Sequence, residues 1–484
     1  MSAAQMHARE MSGKHTHWLH DVPDLAGLAH QFPEAFPFLL DSVANGQPGR
    51  RSLLLYASAD ILVRHSSGIV TGPGQGESFF DRLDSWYRSE KSGEAHVVID
   101  NEREVPFLGG WFVYLGYEIA AEIEASLHLP AQGTSLPDAL ARRCPGAVIV
   151  FHPDPEGQCA EPRALVVAES ADLLAKMLLL LDRAGEPQFA CLPRLERLEA
   201  EQPGKFTADV KRILRYLRDG DVFQVNLSRL WTGRFAHAPD PVAVYRQLCQ
   251  HNPAPFAGMM RWGAATLLSS SPERLVQIRG RRVETRPIAG TRPRGKTADQ
   301  DLALSRELID NVKERAEHIM LIDLERNDLG RVCVPGTIEV NELMVIESYA
   351  HVHHIVSNVC GDLQPGATPV DTIKAVFPGG TITGCPKVRC MEIIAELEQV
   401  GRGFYTGSMG YLGLDGSMDF NILIRSMLLE DCEITFRTGA GIVADSEPVH
   451  ELQETLDKAR GMLLALSQDV AEDVTKDIEE VGRA

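Results

Sequence analysis

The chain has 484 residues, 44% of them hydrophobic and 24% charged, an ordinary globular composition long enough for two or three domains or one large two-part enzyme core. A net charge of -19 argues against nucleic acid or an anionic membrane as partner, and no apolar run approaches the roughly 20 residues a membrane span needs. Nine scattered cysteines with no C-x-x-C pair read as reduced, separately buried thiols, and the polar, His-rich start lacks the apolar core of a signal peptide. The expectation is a soluble, cytoplasmic protein.

Residues 1–18 read as disordered. Across 19–200, short apolar runs alternate with turn residues: SLLLYAS (52–58), ILVRH (61–65), HVVID (96–100), GGWFVYLGYEI (109–119), AVIVFH (147–152) and ALVVAES (164–170) are strand-like. LLAKMLLLLDRA (173–184) is helix-like, and the prolines and mixed charge of 187–205 read as a linker. A second region, 205–466, opens with a helical pattern ending at Gly220, then the alternating VFQVNLSRLWTGRF (222–235). Two or three strands are expected across 265–295, one long amphipathic helix over 300–327, a shorter helix over 384–399, and more strands over 408–438. Over 447–466 a helix is marked by the apolar stripe Leu452, Leu456, Ala459, Leu463 and Leu466. Pro448 suits its first turn, and Ser446 or Asp445 could cap it. Residues 467–484 form an acidic tail. The irregular order of elements favours α+β with antiparallel β-sheets over a doubly wound fold.

Two helices carry a Glu-x-x-Glu pair: Glu314/Glu317 and Glu451/Glu454, each acid one turn from its mate. Like charges so close call for a cation. A hard divalent ion such as Mg²⁺ prefers such oxygen ligands, whereas Zn²⁺ would want His or Cys at short spacings. A solvated face with Lys458 as counter-ion is the plain alternative. Gly439 and Gly441 immediately precede the second pair, where backbone can approach a ligand without a side chain in the way. FPGGTITGCPK (377–387) is a glycine turn before a helix start, able to receive a carboxylate on its amides, and it is not a phosphate-binding loop of the G-x-x-x-x-G-K-[ST] type. His354 stands on a strand-like run beside His351 and His353.

Seven blocks, in order, resemble the chorismate-utilising enzymes: DVFQVNLSR (221–229), SSSPERLV (269–276), RPIAGTRPRG (286–295), KERAEHIMLIDLERNDLGRV (313–332), HVHHIVS (351–357), FPGGTITGCPKVRCMEII (377–394) and TGAGIVADS…ELQETLDKA (438–459). That family includes anthranilate synthase component I, aminodeoxychorismate synthase component I, isochorismate synthase and salicylate synthase. The resemblance implies their α+β fold, two antiparallel β-sheets packed in a sandwich-like core flanked by helices. The resemblance implies that Glu317 and Glu454 hold Mg²⁺, supported by Glu314 and Glu451, and that the metal binds the ring carboxylate of chorismate. It implies that Glu273 is the general acid for the departing hydroxyl, with His354 against the ring. Tyr405 and Arg425 would grip the enolpyruvyl carboxylate. Gly439, Gly441, Thr381 and Lys458 would line the ring-carboxylate side, with Gly290 and Thr291 of RPIAGT also at the substrate.

Water-adding members of the family place a Lys base where this chain has Gln224, and a neutral amide cannot deprotonate water. The resemblance therefore points to ammonia as nucleophile, delivered by a separate glutamine amidotransferase subunit, since this chain lacks a Gly-x-Cys-x-Gly nucleophile block. Asn226 and the form FPGGTITG resemble aminodeoxychorismate synthase component I, which aminates C4. Ala289, where many such enzymes carry a Lys, leaves anthranilate synthase component I as the alternative. Leu40 and Ser42 of LLDS, with Asn252 and Pro253 of NPAPF, resemble the elements that line a tryptophan site in both amination enzymes.

Overall fold

The computed structural model describes residues 8–11, 14–43, 51–92, 98–99, 103–153, 161–295, 297–348 and 352–467. Two antiparallel sheets, one of 13 strands and one of 11, form the centre of an α+β architecture, as expected. Between them, Phe38, Leu55 and Leu267 of the larger sheet meet Phe112, Leu140 and Met409 of the smaller in one buried cluster. The Phe38 and Phe112 rings stack with centroids 4.0 Å apart. Helices Leu25–Gln31, Ala171–Arg183, Pro241–His251 and Pro448–Leu466 cover the outer face of the larger sheet. Phe79–Glu90, Val312–Gly330 and Pro369–Val376 cover that of the smaller. Strands sandwiched in this way lose their polar face, which is why Gly146–Phe151 is an unbroken apolar run buried at every position.

The boundary expected near residue 200 does not separate two cores. Phe38–Asp41 pairs with Phe256–Trp262, and Gly110–Leu115 pairs with Ser408–Gly413, so both regions of the sequence build both sheets. Leu195–Ala200, inside the expected linker, is an edge strand on Gln224–Phe235. Lys14–Trp18, inside the segment expected to be disordered, pairs with Arg163–Ala168, and the Arg163 guanidinium lies 4.0 Å from the centre of the Trp18 ring. Residues 1–7 and the tail 468–484 lie outside the described residues, as does most of the strand expected at 96–100.

Three local expectations also change. The long helix over 300–327 is two, Ala298–Asp310 and Val312–Gly330. Asn311 leaves helical geometry (φ -70°, ψ 110°) and its side-chain oxygen accepts the N–H of Glu314 at 3.1 Å, the N-cap arrangement that opens a new helix. Residues 265–295 hold four strands: Ala265–Ser271, Arg274–Arg279, Arg282–Thr285 and Ile288–Pro293. Helix Pro448–Leu466 begins at Pro448, with Glu447 at the cap position and no side-chain cap bond; the Ser446 hydroxyl instead accepts the N–H of Val443 at 3.0 Å. Its whole apolar stripe is buried as the spacing implies, and Glu451 is buried with it.

Candidate active site

A cavity of about 1160 Å³ opens where the two sheets meet helices Val312–Gly330 and Pro448–Leu466. The larger sheet contributes Gln224, Asn226, Gly439 and Gly441, and the smaller contributes Ala289, Gly290 and His354. Turns and strand ends add Glu273, Thr381, Tyr405 and Arg425, and the two helices add Glu314, Glu317, Glu451, Glu454 and Lys458. Segments more than two hundred residues apart in sequence thus share one wall. Thr291 pairs by its backbone with His354, and its side chain lies outside what the structure describes.

The floor is made of absences. In the pairing of Gln224–Phe235 with Glu433–Ile442, Asn226 stands opposite Gly441 and Ser228 opposite Gly439. A Cβ on Gly439 would sit 2.7 Å from the Tyr405 hydroxyl and 2.9 Å from Asn226 Oδ1, and one on Gly441 would sit 2.3 Å from Gln224 Nε2. Only glycine leaves that space open. Around it, Gln224 Oε1, Asn226 Oδ1 and Glu273 Oε1 are buried without a hydrogen-bond partner. Buried polar atoms are rarely left so, and these three border one cavity.

Glu273 follows Ser271-Pro272 at the end of a buried strand, where its backbone is fixed by the Ser271 hydroxyl (3.2 Å to its N–H) and by the N–H of Ile422 (3.0 Å to its carbonyl). Burial pushes its carboxyl up to about 7. The Thr381 hydroxyl, the Ile288 amide and the positive charges of Arg425 and Lys458 act in the opposite direction and are outweighed. A carboxyl that exchanges protons near neutrality suits a general acid. His354 is pushed down to about 4 by burial first and by Arg425 second, so its ring is neutral at pH 7, with Nδ1 3.4 Å from the Gly290 carbonyl. Its neighbour His353 faces the other way and contacts Asp301 at 2.9 Å. Arg425 adopts a left-handed backbone (φ 51°), a conformation that non-glycine residues rarely hold and that recurs at functional sites. Burial lowers its guanidinium pKa while Tyr405, Glu273 and Glu454 oppose that shift.

The two Glu-x-x-Glu pairs, from different helices, face the same cavity. Glu314 and Glu454 each sit beside a cation: Arg292 lies 3.3 Å from Glu314 and Lys458 lies 2.5 Å from Glu454. Lys458 also donates to the Gly439 carbonyl at 3.0 Å, tying the helix to the glycine floor. Among the described residues no three His, Cys, Asp or Glu side chains close into a complete metal cage. Mg²⁺ commonly takes only one or two protein carboxylates and completes its shell with water and substrate oxygens, and the all-carboxylate donor set fits that habit.

The residues expected at an effector site divide. Asn252 and Pro253 line the same cavity, whereas Leu40 and Ser42 do not. Leu40 pairs with Gly258, and the Ser42 N–H donates to the Ser52 hydroxyl at 3.1 Å. The two segments still touch, because the Val43 N–H donates to the Ala254 carbonyl at 3.1 Å.

Sequence reasoning passed over the support beneath the floor. Glu398, fully buried, holds Arg402 at 2.7 Å and Arg437 at 3.2 Å, and Arg437 lines the cavity. Burial alone would raise the Glu398 carboxyl, but the two guanidiniums more than offset it and hold it low. Arg402 also donates to the Asn226 carbonyl at 2.8 Å and lies 5.5 Å from the centre of the Tyr405 ring. Glu398 and Arg402 sit four apart at the end of helix Lys387–Glu398, a spacing visible in sequence that nothing there marks as structural.

The two-sheet α+β fold thus encloses a carboxylate-lined cavity with Arg425 and Lys458 at its wall. The chain belongs to the chorismate-binding enzymes, whose family model matches residues 54–464. It is 44% identical over 362 residues (75% of this chain, 73% of the relative) to an anthranilate synthase component I-like protein of Synechocystis sp.. It is 40% identical over 433 residues (86% and 88%) to aminodeoxychorismate synthase component 1 of Bacillus subtilis. The crystal structure of anthranilate synthase component I from Streptococcus pneumoniae superimposes with a TM-score of 0.73 at 31% identity, covering 86% of this chain and 93% of that one. Among the described residues no helix is long and apolar enough to cross a membrane.

Proposed function

We propose that this chain is the aminating component of a two-component enzyme, most like aminodeoxychorismate synthase component I. It would convert chorismate to 4-amino-4-deoxychorismate, for 4-aminobenzoate and folate synthesis, with ammonia supplied by a separate glutamine amidotransferase subunit. The observation that carries the amination reading is Gln224, a neutral amide in the cavity wall where adding water would need a base. Arg425 and Tyr405 would hold one carboxylate of the substrate dianion, Arg425 by a charge-assisted contact. Lys458, Thr381 and the glycine floor would hold the other. Glu273 donates its proton as the C4–O bond breaks and water leaves; the ammonia lone pair forms the C–N bond, and the proton shed by the new ammonium group returns to Glu273. Mg²⁺ held by Glu317 and Glu454, with Glu314 and Glu451 in support, would supply charge stabilisation and a template for the ring carboxylate.

Attack at C4 is supported by Asn226 and by the form of 377–384. Ala289 favours a second reading, anthranilate synthase component I, because a methyl side chain in the cavity wall cannot form a covalent adduct with the ring. Incubation with chorismate, Mg²⁺ and ammonium separates the two. Direct appearance of fluorescent anthranilate would refute C4 amination, whereas a product converted to 4-aminobenzoate only by an added lyase supports it. Tryptophan, as inhibitor or structural ligand, would use Leu40, Ser42, Asn252 and Pro253; absence of any thermal shift with added tryptophan would remove that part.

A further inference from the structure

We infer that Gln224 and Asn226 together form a binding cradle for the ammonia nucleophile, with Asn226 as its second, previously unassigned wall. The inference rests on the amination reading above. The two residues are two apart on strand Gln224–Phe235, so their side chains emerge on the same face about 6.6 Å apart at the backbone. Both line the cavity and both are more than nine-tenths buried, at 7% and 9% exposed. Their side-chain oxygens have no donor, although both backbone carbonyls and the Asn226 N–H are engaged. The Asn226 N–H donates to the Thr383 carbonyl at 3.0 Å, and its carbonyl accepts from Arg402 at 2.8 Å. The Gln224 carbonyl accepts from the Cys390 thiol at 3.0 Å. The strand is clamped; Asn226 Oδ1 borders the space that Gly439 keeps free, the Gln224 carboxamide borders through Nε2 the space that Gly441 keeps free, and the buried oxygen of each amide is left without a donor.

Two buried neutral acceptors attract a small donor-rich molecule and repel a carboxylate. Ammonia meets that demand: two of its N–H bonds can go to Gln224 Oε1 and Asn226 Oδ1, leaving the lone pair for carbon. Water could donate to the same pair, but it must lose a proton as it attacks, and neither amide can take one. Ammonia attacks as a neutral molecule and sheds its proton afterwards, so the cradle orients the one nucleophile it does not need to activate.

Gln224→Met and Asn226→Leu remove the acceptors at nearly constant shape. They are assayed in the purified chain with chorismate, Mg²⁺ and ammonium chloride as the only nitrogen source. A neutral hydrogen bond contributes about 1 kcal/mol, and 1.4 kcal/mol is tenfold, so each variant should raise the KM for ammonia about five- to tenfold. The KM for chorismate should stay within about twofold. Should Asn226→Leu not fold, Asn226→Ala is read the same way, with chorismate protection against thermal unfolding showing that the site is intact. An Asn226 variant that weakens chorismate and leaves the ammonia KM unchanged would mean that Asn226 only shapes the floor, and the cradle would fail while amination stands. A wild-type chain that forms no aminated product under these conditions would overturn both.

Discussion

Glu273 titrates in the range where a reaction releasing water needs a proton donor, and its environment fixes the direction of the pH response. With the carboxyl raised to about 7 by burial, the donor form is lost as pH rises through neutrality. At constant free ammonia, turnover is expected to fall above pH 7, and Glu273→Gln to lose at least about a hundredfold at every pH; a profile flat to pH 9 would remove Glu273 from that role. The same shift has a stability sign. A carboxyl whose folded pKa lies above its unfolded value contributes stability that is fully present below the unfolded pKa and lost as pH rises through the folded one. Glu273→Gln should therefore melt higher than wild type at pH 8 and not at pH 4, with Glu118, also raised to about 7 by burial, adding the same slope to both proteins. Glu273, His354 and the two glycines stand in the motif blocks of the sequence and meet in one cavity, whereas Arg425 lines the same cavity from outside those blocks. The open Asn226 oxygen could not be read from sequence, since whether a buried amide is satisfied depends on what packs against it.

Between residues and molecule, the informative element is the broken helix. Periodicity across 300–327 is continuous, and only Asn311 followed by Glu314 signals that one helix ends and another begins. Glu314 and Glu317 stand near the start of the helix that Asn311 opens. Asn311→Ala is expected to cost about 1 kcal/mol of stability through the lost cap. It should also raise the Mg²⁺ concentration for half-maximal activity, measured by titration beside a thermal melt; a lower melting point with unchanged Mg²⁺ response would dissociate the cap from the acids. The edge strand Leu195–Ala200 shows the opposite failure. LERLEA alternates correctly, but it is short, charged and preceded by prolines, and its strand character comes from an available edge on Gln224–Phe235.

Fold class was legible from the irregular mixture of strand and helix patterns, whereas the partnership between the two halves was not, because strand pairing across two hundred residues leaves no local trace. Gly110–Leu115 lies inside the smaller sheet between Ala139–Cys144 and Ser408–Gly413. Glu118 accepts the backbone N–H groups of Arg402 at 2.6 Å and Gly403 at 3.0 Å. A fragment from Lys205 to Leu466 would expose the edges of Gln224–Phe235, Phe256–Trp262 and Ser408–Gly413 and what remains of the inter-sheet core. It is expected to be aggregated or molten, with helical and strand signal but dispersed, dye-binding apolar surface; a soluble fragment with cooperative unfolding would show that the second region folds alone.

The cavity draws lining residues from both sheets, so a bound substrate acts as a fastener between two layers joined mainly by apolar packing. Mass action gives a ligand at a hundred times its Kd about 2.7 kcal/mol of added stability, and here that gain belongs to the joint rather than to one layer. Amide hydrogens at Asn226 in the larger sheet and His354 in the smaller should slow their exchange together and by the same factor when chorismate binds. Protection confined to one sheet would mean that the ligand rests on a surface instead of closing a seam.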